Sequence, residues 1–133
     1  MLKNGRVAAR LPAQDLERAR AFYAEKLGLE PAEEREGGLR YVCANGEFAL
    51  FESTGSAAGD HTQMGWEVDD IEATVSELRS RGVVFEEHDL PGLKTIDGTA
   101  EIEGQYPSRG SGERGAWFRD SEGNMLGIGE PVP

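Results

Sequence analysis

Residues 6–11 alternate in polarity. Val7, Ala9 and Leu11 fall on one side and Arg6, Ala8 and Arg10 on the other, which predicts a half-buried strand. Pro12, which has no amide to donate, is read as the end of its ladder. The period then lengthens to that of a helix: Leu16, Ala19, Phe22, Tyr23 and Leu27 make one apolar stripe. Asp15 stands where a carboxylate can cap the free amides at the start, and Gly28 suits the stop. Short strands are expected near 31–35, 39–44 and 47–53, with Gly37-Gly38 and Asn45-Gly46 as the hairpin turns between them.

The same pattern then recurs 55 residues on. Asp15 aligns with Asp70, Leu16 with Ile71, Glu17 with Glu72 and Leu11 with Trp66. Residues 54–61 form a small polar linker. A strand follows at about 62–68, with Met64, Trp66 and Val68 on its packing side and Gln63, Gly65 and Glu67 on the other. Asp69 or Asp70 caps a helix ending near Arg81-Gly82, with Ile71, Val75 and Leu78 inward. VVFEE, 83–87, reads as a further strand. Regularity fails from Leu90 to Gly112, with room for one short strand at 99–103, and residues 104–115 read as a flexible flap. A last hairpin runs from GAWFRD through a turn at 121–124 into MLGIG. The order is βαβββ twice, an α+β chain whose halves would be related by a pseudo-twofold, with a cleft between them as the place for a ligand. The expected organisation is a single domain, 1–133, of an N-terminal module, 1–55, and a C-terminal module, 62–130.

Composition narrows the function classes. The 133 residues carry 14 Lys and Arg against 25 Asp and Glu, a net charge of −11, which argues against nucleic acid or an anionic membrane as partner. No apolar run is long enough to span a bilayer, and the N-terminus lacks the apolar stretch of a secretory signal. The single cysteine, Cys43, allows no internal disulfide and suits a reducing cytoplasm.

Three segments, LPAQDLERARAFYAEKLGLEP, WEVDDIEATVSELRSRGV and AWFRDSEGNMLGI, stand at intervals that resemble the vicinal oxygen chelate superfamily of glyoxalases, bleomycin resistance proteins and dioxygenases. The resemblance implies two modules curling a mixed sheet around a cavity, often completed across a homodimer. It also implies a divalent cation held by His, Glu or Gln side chains. Carried over, the ligand positions are Ala8, Gln63, Gly127 and a site near Leu50, with Glu52 two residues further along. Alanine and glycine offer no donor atom, so the expectation is a protein without a metal cofactor. A site reduced to Gln63 and Glu52 is the alternative.

Strand parity directs Arg6, Arg10, Glu52, Gln63 and Glu67 to the concave side. They either orient a small polar ligand or pair among themselves as a salt-bridge network. The inward arginines favour an anionic or carbonyl-bearing ligand, while the acidic net charge is compatible with a cationic one. Tyr106 is a candidate lid aromatic or a loop anchor, and Trp117 or Phe118 should face the cavity. His61 is expected in solvent. His88 can reach the cavity mouth but shows no partner for general-base work. The functional expectation is a metal-independent small-molecule-binding protein, with antibiotic resistance among its roles. A glyoxalase-like lyase, isomerase or dioxygenase-like enzyme is the alternative.

Overall fold

The structure is a computed structural model, and it describes residues 1–56, 59–103 and 111–133. Both aspartates singled out by the repeat cap helices. Asp15 accepts from the Arg18 amide at 3.0 Å and opens α1 (Leu16–Leu27); Asp70 accepts from the Ala73 amide at 3.0 Å and opens α2 (Ile71–Ser80). Gly28 ends α1 with φ +70°, a left-handed conformation that glycine adopts without strain.

Eight strands build two sheets of like topology. β1 (Ala9–Ala13), β2 (Glu33–Arg35), β3 (Gly38–Val42) and β4 (Glu47–Glu52) lie in the order β1-β4-β3-β2. β5 (Met64–Glu67) belongs to the second sheet. A two-stranded hairpin of β6 (Asp89–Leu90) and β7 (Leu93–Lys94) comes next. The second sheet is completed by β8 (Ala100–Glu103), β9 (Gly112–Arg119) and β10 (Met125–Val132), in the order β5-β10-β9-β8. In each sheet the first and last strands run parallel side by side and the remaining pairs are antiparallel. This is the expected α+β arrangement of a repeated βαβββ unit. No helix among the described residues is long and apolar enough to cross a membrane.

Three expectations need correction. The first strand starts at Ala9, so Arg6 and Ala8 precede it, and Pro12 lies inside it opposite Phe51. Proline is tolerated there because β1 is an edge strand whose one neighbour is β4. Residues 83–87 make no strand, only a single bridge from Phe85 to Phe118. Their alternation is real, since Val83 and Phe85 are buried, but β8 already occupies the 112–115 stretch of β9. The place held in the first sheet by one outer strand is thus shared by two segments. β9 also begins at Gly112, inside the stretch read as a flap.

One core joins the halves. Leu11, Tyr23, Tyr41, Phe48 and Leu50 meet Ile71, Val75, Phe118, Leu126 and Ile128, and Phe48 packs edge-on against Trp66 at 5.9 Å. The 120–124 turn crosses the junction as a polar clamp. Asp120 accepts from the Tyr23 hydroxyl at 2.7 Å and from the Glu122 and Asn124 amides at 2.9 Å. Asn124 donates to the Pro12 carbonyl at 3.0 Å. Glu122 takes the Arg18 guanidinium in a two-pronged contact at 2.8 and 3.0 Å and accepts from the Asp15 amide. Burial, reinforced by the neighbouring Asp120 carboxylate, pushes the Tyr23 phenol far above its ordinary range.

Candidate functional site

The second sheet carries a cavity of about 270 Å³, and the ladder explains its shape. Gly65, Gly127 and Trp117 lie in register across β5, β10 and β9; one pleat along, Glu67, Gly129 and Gly115 do the same. Strand alternation sends all of these to one face. Gly65, Gly115, Gly127 and Gly129 therefore leave a floor of bare backbone.

That floor is what lets two side chains of β9 lie down on it. A β-carbon at Gly127 would stand 3.4 Å from Cδ1 and Nε1 of Trp117, and one at Gly115 would stand 3.1 Å from the far edge of the same indole. A β-carbon at Gly129 would come within 2.5 Å of the Glu113 carboxyl carbon. The indole thus covers Gly127 and the carboxylate covers Gly129. Glu67 flanks Gly129 from the other side. Burial first, and the Glu67 charge second, raise the Glu113 carboxyl above the ordinary carboxylate range. Among the described residues Glu113 forms no ion pair.

His88 stands edge-on to Trp117, ring centres 5.8 Å apart. Its backbone is pinned by Thr95, whose hydroxyl accepts from the His88 amide at 2.8 Å and lies 2.7 Å from the Glu87 carboxylate.

The sequence-selected residues scatter. Glu67 and Trp117 line the cavity, and Phe118, of opposite parity, is core. Gln63 sits just before β5 with both ends of its amide engaged: Nε2 donates to Asn124 Oδ1 at 3.1 Å and Oε1 accepts from the Met125 amide at 3.0 Å. Arg6 lies in exposed chain before β1. Arg10 is exposed on the first sheet, opposite Ala49, on the face away from Leu11. Glu52 lies opposite Ala13 and shares the parity of buried Leu50, so the expectation that it joins Arg10 on one face is corrected. Arg6 and Arg10 form no ion pair among the described residues, so the salt-bridge network is not built from them. Tyr106 lies outside the described residues. Gly65 and Gly127 were already picked out in the sequence, by parity and by the family resemblance; sequence reasoning missed Glu113, Gly115 and Gly129, whose shared parity shows only once the β9–β10 register is known.

The donor set does not fit a divalent cation. Ala8 and Gly127 have no donor, Gln63 is committed to the 124–125 backbone and side chain, and Leu50 is fully buried in the core. Among the described residues no three His, Cys, Asp or Glu side chains are placed to share a metal.

The duplicated half-sheets and the cavity define a two-module α+β protein of paired βαβββ units. The chain belongs to the Glyoxalase/Bleomycin resistance protein/Dioxygenase superfamily, which it matches over residues 5–128. Its fold is similar to that of virulence protein STM3117 from Salmonella typhimurium, at 18% identity and TM-score 0.67, covering 96% of this chain and 97% of that one. It is similar also to a glyoxalase/bleomycin resistance protein/dioxygenase from Alicyclobacillus acidocaldarius, at 16% identity and TM-score 0.68, covering 98% and 93%. A protein of the same description from Nocardioides aligns at 18% identity and TM-score 0.65, covering 95% and 82%. No curated protein matches the chain.

Proposed function

We propose that this chain is a metal-independent small-molecule-binding protein, its ligand seated on the glycine floor of the second sheet between Trp117, Glu67 and Glu113. One observation carries the reading: Gly127, the position from which the family resemblance would project a metal-binding side chain, lies under an indole instead. An indole over bare backbone offers a flat apolar surface, and the carboxylates beside it supply orientation.

Binding of this kind serves sequestration, as in antibiotic resistance, without any catalytic group. A cytoplasmic setting accords with the single cysteine. A homodimer is part of the proposal, because it would cover Val42 and Phe51, which stand exposed on the open face of the first sheet beside Arg10. Light scattering should give about twice 14.5 kDa, and a monomer would remove that element.

The test of the main reading is to load the purified protein with nickel, manganese or zinc, dialyse, and count bound metal. Substoichiometric metal is expected, together with a small molecule found by mass spectrometry in protein denatured straight after purification. Stoichiometric metal that is lost in Gln63→Ala would instead establish the reduced metal site of a lyase or dioxygenase-like enzyme.

A further inference from the structure

A second cavity, of about 210 Å³, opens on the opposite side of β5 from the glycine floor, where the two modules meet. Trp66 and Val68, on the core side of the chain there, line it, and the buried Phe118 and Ile128 close its base. α2 adds Thr74 and Leu78, which are four residues apart and so share one helix face. α1 adds Leu27. The left-handed turn at Gly28 then brings Leu29 to the same cavity, its amide donating to the Tyr23 carbonyl at 2.9 Å. Cys43, just past β3, completes the wall.

The two helix ends that frame the opening are held at a fixed spacing. Arg81, which ends α2, donates to the Glu25 carbonyl of α1 at 3.5 Å, and its guanidinium lies over Gly28, where a β-carbon would stand 3.3 Å away. Leu27, Leu29, Leu78 and Cys43 are half-buried, so the cavity is reached from solvent.

The lining decides what can stay inside. The Thr74 hydroxyl donates to the Asp70 carbonyl at 2.8 Å, and Glu67, the one charged residue of the lining, is exposed at its margin. The remaining side chains are apolar or a thiol. A water molecule held here needs about two to four polar partners, whereas an apolar guest needs only contact. The volume lies below the roughly 300–1,000 Å³ of drug-sized sites and above the roughly 150 Å³ of an engineered apolar hole that accepts benzene.

We infer that this inner cavity is a binding site for a small uncharged apolar molecule, a single ring or a short alkyl chain, held between α1 and α2. It is a second site, independent of the ligand proposed for the glycine floor.

Toluene and benzoate share a ring and differ in charge, and Cys43, the single thiol, reports occupancy. Alkylation of Cys43 by iodoacetamide is timed with each probe on the wild-type chain, on Leu78→Trp and on Thr74→Phe, and methyl and indole NMR signals are followed in the same samples. Thermal melts confirm that each variant is folded. At about ten times its Kd, toluene should slow alkylation about tenfold and shift the methyls of Leu27, Leu29 and Leu78. Benzoate should do neither. Both substitutions narrow the cavity and should remove the protection; if one of them unfolds, the other carries the test.

Alkylation that toluene does not slow would overturn the inference. Shifts of the Trp117 indole without those of the leucine methyls would overturn it too, while leaving the glycine-floor reading in place. Equal slowing by benzoate would overturn the apolar class. Protection that survives in a folded Leu78→Trp or Thr74→Phe chain would overturn the assignment to this cavity.

Discussion

Glycine at 129 is what allows Glu113 to lie against the sheet, and a side chain there must displace it; at 127 a β-carbon alone would meet the indole at an ordinary 3.4 Å, and it is a longer side chain that has to push Trp117 aside. Gly127→Glu would restore a carboxylate at the position where relatives are expected to bind metal. In this chain it should destabilise by about 1–3 kcal/mol, as overpacking does, and shift the tryptophan emission. A variant that melts like the wild type and binds zinc stoichiometrically would refute the packing account. Tyr41 gives a contrasting case. Its hydroxyl is buried with no hydrogen-bond partner among the described residues, while its ring stacks on Phe48 at 4.9 Å. Burial pushes the phenol up to about 12. Removing an unsatisfied hydroxyl sacrifices no bond, so Tyr41→Phe should be neutral or stabilise by up to about 1 kcal/mol in thermal or urea unfolding.

The 120–124 turn and the start of α1 act as one unit. Hydrogen bonds from Arg18, supported by the Asp15 amide and the Ser121 hydroxyl, hold the Glu122 carboxyl at about 2 against an ordinary 4.5. The folded state therefore favours the charged carboxylate. Its stabilisation is complete above about 4.5 and drains away as the pH falls toward about 2. Arg18 is half exposed, which tempers the gain. Glu122→Gln should cost about 1–2 kcal/mol at neutral pH and flatten the acid limb of the stability curve. An unchanged acid limb would show that the pair contributes nothing. Elements with a clear period were the legible ones. Both helices and both caps stand where the apolar stripe and Asp15 and Asp70 put them, because local sequence decides those features. β9 was cut short because Gly112, Glu113, Arg114 and Gly115 have the composition of a loop, and only pairing with β8 and β10 makes them a strand. Val83–Glu87 erred the other way, with a genuine alternation that meets β9 only at the single Phe85–Phe118 bridge, because β8 takes the rest of that edge.

At the scale of the molecule, parity located the right face of the second sheet, since Gln63, Gly65 and Glu67 do alternate with the core. It could not reveal that Gln63 closes its hydrogen bonds on Asn124 and Met125, because those partners lie about 60 residues away in sequence. Nor could it place Arg10 and Glu52 on opposite faces of one sheet, which depends on the β1–β4 register. The repeat was legible as architecture, and the difference between its halves was not. The first sheet presents arginine and exposed apolar side chains, while the second presents carboxylates and an indole. Two copies of one pattern thus present different surfaces.

The parallel pairing of β5 with β10 carries a consequence for biosynthesis. β10 is an interior strand, so the second sheet has a gap at its middle until Met125–Val132 have been made, whereas the first sheet has all four strands by Glu52. During translation, one half can condense while the other waits with two unzipped edges, a state prone to sticking to neighbours. A ribosome stalled just short of Met125 should yield a nascent chain that resists protease up to about residue 53 and is cut readily beyond it.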